Sequence, residues 1–425
     1  MTTRSRRGFL RQLALGGAAA AGLPYLLPRH VLGSPDTPGA NERVNLALVG
    51  MGARGRQIAT NLPAMGRIVA VCDVDLTAAE AATRNLKATW KVYQDYREIL
   101  DRESVDAMVL CMCDHNRILP AIHACQAAKD IYVEKPFCLY VTEGRALVQA
   151  VRHYNRVCQY GTQSRTIGTN QAALRLIREG KLGKLQSIVC RNYSGNLPYP
   201  GGPTEPQPPT LDWDKWCGQT ELLPYNKALQ HGWGGYRNYC GGNVTFLGAH
   251  AYDMIQCALG ADTTGPVELW TTSEAGPRAK VRMKYADGFE VSLEAEEKAS
   301  PFVGAIFTCE HGKIELNEHL FRSNPKDLAK QVPPAETGEV GYRPGWMGKS
   351  HLANWMECIK SRQRPHAYEE IGQRSATVCH LVNITKRLGR RLQWDPAAER
   401  FVGDDAANAL LSRPRRKGYE LPALT

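Results

Sequence analysis

The sequence lacks the residue clusters of a structural metal site. None of its 13 cysteines forms a C-x-x-C pair, and histidine and cysteine nowhere gather at the spacing of metal ligands. We therefore predict no metal. The number of cysteines is odd and most of them lie in apolar runs, so we expect small buried thiols, with one or two disulfides left open.

The body of the chain also lacks excess charge. Nine units of the formal charge of +11 come from basic residues within positions 4–29 and 413–417, which leaves about +2 for the residues between them. No basic stripe with interleaved aromatic side chains runs through this body, which argues against a nucleic-acid partner. We expect the basic segment 413–417 to be a solvated end.

Long apolar runs are missing beyond the N-terminus, so stable membrane insertion is not expected. At the N-terminus, Arg6-Arg7 is followed by Phe9-Leu10 and by a short run rich in Ala and Gly, in the order of a twin-arginine signal. We predict that residues 1–33 are a cleaved leader and that 34–43 are a linker. The alternatives are an uncleaved anchor or a basic tail. The expected location is the periplasm or another exported site, reached through the twin-arginine machinery.

A glycine-rich loop follows, Gly50-Met51-Gly52-Ala53-Arg54-Gly55, called the glycine loop below. The apolar run 44–49 before it predicts a buried parallel strand. The three glycines would permit a tight turn, approach of a pyrophosphate and close packing of the next helix. A second apolar run ends at Asp73, where a carboxylate would bind an adenosine ribose. This pattern predicts a site for NAD, with NADP left open.

Strand and helix patterns alternate from residue 44 to residue 162, which predicts a doubly wound parallel sheet, a Rossmann domain. Residues 163–390 are expected to form an α+β domain with a mostly antiparallel open sheet, because hairpin patterns surround Asp287-Gly288 and His311-Gly312. Helices within 346–390, near 351–361 and 369–388, are expected to pack back on the first domain. Residues 391–425 are predicted to be a tail.

Short motifs at the predicted strand ends narrow the family. They are Asp114-His115, Glu134-Lys135-Pro136, Gly161-Thr162-Gln163-Ser164-Arg165 and Gly248-Ala249-His250-Ala251-Tyr252-Asp253. With them the chain resembles the glucose-fructose oxidoreductase and inositol dehydrogenase (Gfo/Idh/MocA) family over nearly its whole length, and the segment 211–216 resembles its exported bacterial branch. The resemblance implies a nicotinamide-dependent oxidoreductase that acts on a sugar, polyol or glycoside. It also implies a homo-oligomer formed through the second sheet.

The resemblance implies roles for individual residues. Lys135 would polarise the substrate oxygen and His250 would move the proton, with Asp253 either as its catalytic partner or only as an acid that orients a neighbour. Tyr193, Tyr236, Arg237 and Tyr252 lie near these motifs and could bind sugar hydroxyls, although packing would explain each of them alone. The expected cofactor contacts are Gly50, Met51, Gly52, Ala53, Arg54, Gly55, Asp73, Asp114, His115, Glu134, Lys135 and Gln163.

One position departs from the family pattern. Many relatives carry an aspartate four residues before the histidine, and this chain has Phe246 there. Asp253 could replace the missing acid, or the chemistry could differ. Three functions therefore stay open: an exported oxidoreductase with a tightly held cofactor, a redox-neutral glycoside hydrolase or epimerase that works by transient oxidation, and a sugar-binding protein without catalysis.

Overall fold

The computed structural model describes residue 39 and residues 42–296, 303–317, 321–332 and 349–424. The predicted leader, residues 1–33, lies outside the described residues. Among the helices that are described, none has the length and apolar character needed to cross a membrane.

The first domain is built on a six-stranded parallel sheet. Its strands are β1 (Val44–Val49), β2 (Gly66–Cys72), β3 (Lys91–Tyr93), β4 (Ala107–Leu110), β5 (Asp130–Glu134) and β6 (Cys158–Gly161). Its helices are α1 (Ala53–Thr60), α2 (Leu76–Asn85), α3 (Tyr96–Arg102), α4 (Ile118–Gln126) and α5 (Val141–His153). The strand order is β3-β2-β1-β4-β5-β6, so the order reverses beside β1. Strands β4 and β5 are buried along their whole length, as expected for a parallel sheet covered on both faces.

The second domain carries a nine-stranded sheet. Its strands are β7 (Leu185–Arg191), β8 (Glu268–Thr271), β9 (Val281–Lys284), β10 (Glu290–Ala295), β11 (Gly304–Cys309), β12 (Gly312–Asn317), β13 (Phe321–Asn324), β14 (Leu392–Asp395) and β15 (Arg400–Phe401). The order is β13-β12-β11-β7-β10-β9-β8-β14-β15. Only the pair of β7 and β10 is parallel among these neighbours, all in the described part of the chain. The predicted fold class is confirmed.

Helices of the second half cover this sheet and also reach the first domain. They are α6 (Gly168–Arg178), α7 (Trp213–Cys217), α8 (Lys227–Gly232), α9 (Asn243–Phe246), α10 (Gly248–Ala258), α11 (Lys349–Ser361), α12 (Glu369–Leu388) and α13 (Asp405–Asn408). Trp355 of α11 is fully buried in a cluster with residues of β1 and β4. Ion pairs between Arg145 of α5 and Glu370 of α12, at 2.8 Å, tie the long helix to the first domain.

The C-terminal segment differs from the expectation of a solvated tail. Residues 392–401 form β14 and β15, because Leu392 and Trp394 alternate with exposed residues and complete the second core. Of the four basic residues that follow, the three arginines are paired with carboxylates, whereas Lys417 is exposed. Arg413 and Arg415 lie 2.9 Å and 2.7 Å from the carboxylate of buried Glu143. This correction matters because the same segment reaches the functional site.

The 13 cysteines are all free thiols, and most of them are buried. Burial raises the pKa of several, for example Cys125 and Cys158 in the core of the first domain. They therefore pack as small apolar groups, in agreement with their apolar sequence context.

Candidate active site

A cleft of about 400 Å³ opens at the carboxyl ends of β1, β2, β3 and β4. This edge, beside the reversal of strand order, is where doubly wound sheets bind ligands. Five of the predicted cofactor residues line it: Gly50, Gly52, Ala53, Arg54 and Asp73.

The glycine loop has the shape of a phosphate cradle. Gly50 has a φ of +93°, and a Cβ there would lie 2.6 Å from the backbone nitrogen of Met112. A Cβ at Gly55 would lie 2.0 Å from the carbonyl oxygen of Gly50, whereas a Cβ at Gly52 would meet nothing within 4 Å. The first and third glycines are therefore needed for packing, and the second leaves open space for a ligand. This arrangement fits the pyrophosphate of a dinucleotide.

Asp73 lies at the end of β2 with its carboxylate fixed by backbone donors. The N–H of Met51 donates to Oδ2 at 2.7 Å, and the N–H of Asp75 donates to Oδ1 at 3.0 Å. Burial raises the pKa of Asp73, although these two N–H donors oppose the shift. The carboxylate is thus held against the glycine loop, where it could accept hydrogen bonds from the hydroxyl groups of a ribose.

The opposite wall of the cleft comes from residues that sequence reasoning missed. Arg97 follows the short strand β3, and Trp216 belongs to α7. Trp216 stacks on Trp213 with ring centroids 4.4 Å apart and also faces the cleft. Tyr419 completes this wall, and its hydroxyl donates to Asp214 at 2.9 Å.

Glu134 joins the glycine loop to the end of β5. Its carboxylate is buried and lies 2.5 Å from Nε of Arg54. The side-chain amide of Gln163 donates to the same carboxylate at 3.3 Å and to the hydroxyl of Tyr132 at 3.1 Å. Burial alone would raise the pKa of Glu134, but the charges of Arg54 and Lys135 outweigh it and hold the pKa below its usual range. Glu134 and Gln163 therefore position the loop and the neighbouring lysine.

Lys135 lies at the junction of the two domains. Its Nζ donates to the carbonyl oxygen of Phe246 at 2.7 Å and lies 4.1 Å from the centroid of the Phe246 ring. Phe246 is 41% exposed and lines the cleft, so this contact brings the ammonium to the end of the cleft. The peptide bond between Lys135 and Pro136 is cis.

His250 and Asp253 share α10 but have different surroundings. His250 lies four residues beyond Phe246 and is 6% exposed. Asp253 is fully buried, and both of its oxygens are occupied: Arg165 donates to them at 2.9 Å and 3.0 Å, Thr162 at 2.9 Å and Ser375 at 2.6 Å. These contacts describe an anchor between the segments after β6, α10 and α12, and they do not support the predicted catalytic role of Asp253.

Comparison with known proteins decides the family. A model described as the NAD-binding Rossmann fold of the Gfo/Idh/MocA oxidoreductase family matches residues 44–162, and a model of that family's C-terminal alpha/beta domain matches residues 201–421. The chain belongs to the Gfo/Idh/MocA oxidoreductase family. NAD is therefore the cofactor for which its first domain is built.

Individual Gfo/Idh/MocA relatives are distant. Scyllo-inositol 2-dehydrogenase (NAD(+)) of Bacillus subtilis is 29% identical over 146 residues, which cover 33% of this chain and 42% of that protein. The chain thus spans less than half the length of this curated relative.

Solved structures of similar fold cover far more of the chain. The WlbA dehydrogenase from Bordetella pertussis, in complex with NADH and UDP-GlcNAcA, has a TM-score of 0.58 at 17% identity, covering 83% of this chain and 99% of that one. Aldose-aldose oxidoreductase from Caulobacter crescentus, complexed with glycerol, gives the same scores and coverage. At this low sequence identity, the similarity to these structures establishes the fold alone.

Asp114 and His115, expected to contact the cofactor, point into the protein. Asp114 pairs with Arg117 at 3.1 Å, and both side chains are buried. Nε2 of His115 lies 2.7 Å from the carbonyl oxygen of Trp216, and burial lowers its pKa to about 3. His115 is therefore neutral at physiological pH and supports the wall of the cleft from behind.

The four predicted sugar-binding residues are separated in the structure. Tyr193 and Tyr252 are buried in the core of the second domain, with ring centroids 6.1 Å apart. Tyr236 packs edge-on against Tyr199 at 4.9 Å. Arg237 lines a different cavity from the cofactor cleft. These contacts support packing for the tyrosines and a separate role for the arginine.

Proposed function

We propose that the protein is an NAD-dependent oxidoreductase that transfers hydride between NAD and a carbon of a sugar or polyol. The observation that carries the proposal is the position of Lys135. Its ammonium lies on the Phe246 carbonyl and ring, at the end of the cleft that begins with the glycine loop. A cation there can hold a substrate oxygen beside the cofactor site.

The proposal assigns a role to each of four residues of the protein. NAD, when bound, supplies the hydride acceptor. The ammonium of Lys135 donates a hydrogen bond to the substrate oxygen and stabilises the negative charge that develops on it. His250, on the helix that begins just after Phe246, accepts the hydroxyl proton through an imidazole nitrogen. Asp253 and Arg165 keep α10 in place beneath it.

The names of the relatives support the substrate class. The Bacillus subtilis relative is named for scyllo-inositol, and the Bordetella pertussis structure is described in complex with the sugar nucleotide UDP-GlcNAcA. Cyclic polyols and sugars therefore form the substrate panel of first choice.

Phe246 favours a second candidate, a redox-neutral reaction. An apolar ring stands where many relatives have an acid, and the carboxylate of Asp253 is fully engaged elsewhere. Either enzyme would transfer hydride from a ring carbon to NAD and remove the acidified proton of the neighbouring carbon. An epimerase would return a proton to the opposite face of that carbon, whereas a hydrolase would expel the aglycone as its alcohol and add water to the resulting double bond. The hydride then returns to the same molecule. Such a cycle needs no external supply of oxidised cofactor.

Export through the twin-arginine pathway is part of the proposal and rests on the residue pattern around Arg6-Arg7. An exported enzyme would need to keep its nucleotide. The contacts of Tyr419 and Arg416 with Asp214, beside the cleft, support such retention.

Assembly into a homo-oligomer through the open sheet remains the proposal for quaternary structure, and the molecular mass in solution tests it.

The test compares wild type with Lys135→Gln. Nucleotide released on denaturation is identified first, and then NADH formation is followed with inositols and aldoses. We expect the variant to retain NAD affinity and to lose turnover by roughly 10³-fold, because the oxygen loses its cation. Lys181→Gln, at an exposed lysine, serves as the control.

Three results would redirect the proposal. Unchanged turnover in Lys135→Gln would remove Lys135 from the mechanism. Cleavage or epimerisation of glycosides without added NAD, lost in the same variant, would favour the redox-neutral candidate. Sugar binding with no turnover in wild type, across both panels, would favour a protein without catalysis.

A further inference from the structure

A second cavity lies outside the cofactor cleft and has a marked positive charge. Its volume is about 310 Å³, within the usual range for small-molecule sites, and it shares no lining residue with the cleft. Three arginines contribute to its wall: Arg237, Arg387 of α12 and Arg413 of the C-terminal segment. No acidic side chain lines it among the residues that the structure describes.

Only one of the three arginines has a carboxylate partner. Arg413 pairs with Glu143 at 2.9 Å. Within the described chain, no carboxylate forms an ion pair with Arg237 or Arg387. Burial lowers the pKa of Arg237, and the nearby charge of Arg387 lowers it further. Two guanidinium groups are thus held together without a counter-charge, which costs free energy in the absence of an anion.

Neutral amide groups lie beside the two guanidinium groups that have no carboxylate partner in the described chain. The amide of Asn196 donates to the carbonyl oxygen of Cys240 at 2.8 Å, and Nε of Arg237 donates back to Asn196 Oδ1 at 3.4 Å. The amide of Asn383 donates to the carbonyl oxygen of Gly241 at 2.8 Å. These bonds fix the orientation of both amides, and each NH₂ group keeps a second N–H. The cavity therefore offers preset donors and a net positive charge.

We propose that this cavity binds a small oxyanion, a carboxylate or a phosphate group carried by a metabolite of sugar size. Arg237 and Arg387 clasp the anion, because planar guanidinium groups form paired, charge-assisted hydrogen bonds with such oxygens. Asn196 and Asn383 orient it. The site is distinct from the cofactor cleft, so it does not depend on the proposed redox activity.

The experiment measures anion binding to protein saturated with NAD, so that the glycine loop is filled. Inorganic phosphate and D-glucuronate are titrated by calorimetry at constant ionic strength, with D-glucose as the uncharged comparison. We expect binding of at least one anion that depends on Arg237 and Arg387, whereas glucose should show no binding that depends on these two arginines. The double variant Arg237→Gln/Arg387→Gln should weaken binding roughly tenfold or more, since two charged donors are lost. Arg175→Gln, at an exposed arginine on α6, should bind as wild type does.

The outcomes are distinct. Phosphate binding alone identifies a phosphorylated ligand, and glucuronate binding alone identifies a carboxylated one. Equal affinity in wild type and the double variant, with native circular dichroism spectra, would overturn the proposal. Absence of binding by both anions would overturn it as well. Neither result bears on Lys135 or NAD, so failure here differs from failure of the proposed function.

Discussion

The two ends of the cofactor cleft are built in different ways. At one end the glycine loop supplies six consecutive residues, three between β1 and α1 and three in the first turn of α1, and Asp73 follows at the end of the neighbouring strand. At the other end Lys135 comes from the first domain, while Phe246 and His250 come from the second. We call these the loop end and the lysine end.

The difference shows what each end requires of the fold. The loop end depends on steric limits within a short segment, since glycine is demanded by the backbone itself at Gly50 and Gly55. The lysine end depends on the alignment of two domains. That alignment rests on polar contacts between the domains, including Thr162 with Asp253 and the ion pair of Arg145 with Glu370. The loop end should thus be sensitive to added atoms, and the lysine end to lost charges.

The largest expected effect is at the loop end. Gly55→Ala places a Cβ 2.0 Å from the Gly50 carbonyl oxygen, so the loop must move. We expect a lower melting temperature and a loss of NAD affinity of roughly 100-fold, measured by NADH fluorescence. Gly52→Ala is the matched variant, because its Cβ meets no atom within 4 Å. It should keep the melting temperature and weaken NAD binding by about tenfold, since the methyl group occupies the phosphate approach.

Equal behaviour of the two glycine variants would contradict this view of the loop. In particular, a Gly55→Ala protein with wild-type stability and affinity would mean that α1 and β1 can separate at little cost.

A second prediction distinguishes the structural role of Asp253 from the proton-transfer role of His250 at the lysine end. Asp253→Asn removes one charge of a fully buried pair, so we expect the free energy of unfolding to fall by about 3 kcal/mol in urea titrations. His250→Gln should leave stability closer to wild type and lower kcat by roughly 10²-fold or more. If Asp253→Asn were as stable as wild type and lost turnover as His250→Gln does, Asp253 would be the proton-transfer group after all.

The loop end was predictable from the sequence because its constraints are local. The glycines, the apolar run before them and Asp73 follow one another in a short stretch of chain. The motif at Lys135 was equally visible, and the helix expected at 369–388 has those bounds in the structure. The partners that complete each motif were not visible, as the contacts of Asp253 with Arg165 and Ser375 show. They join residues about 90 and 120 positions apart.

The missed wall of the cleft has a specific cause. Strand β3 has three residues and only partial burial, so it gives almost no periodic pattern. Because β3 was not predicted, nothing in the sequence indicated that Arg97 lies near the end of a strand of this sheet. A sixth strand beside β2 could have been sought in the 34 residues between Cys72 and Ala107, which exceed one helical connection. The ion pairs of the basic C-terminal segment could not be inferred from the sequence in this way, because no length or pattern in the chain indicates their partners.

The smallest expected effect concerns that C-terminal segment. Tyr419 lines the cleft while its hydroxyl donates to Asp214, and Arg416 lies 2.5 Å from the same carboxylate. The segment thus forms a strap beside the cleft that neither the loop end nor the lysine end includes. Tyr419→Ala should speed NADH release by roughly threefold to tenfold in stopped-flow fluorescence, because an aromatic wall is removed.

Two further variants divide this effect between the ring and the hydroxyl. Tyr419→Phe keeps the wall and loses the bond to Asp214, so its release rate should lie between those of wild type and Tyr419→Ala. Lys417→Ala changes an exposed residue of the same segment and should release NADH at the wild-type rate. If all three variants released NADH at the wild-type rate, retention would depend on the loop end and the lysine end alone. A graded series would instead assign part of the retention to a residue more than 360 positions from the glycine loop, which only the folded chain brings to the cofactor.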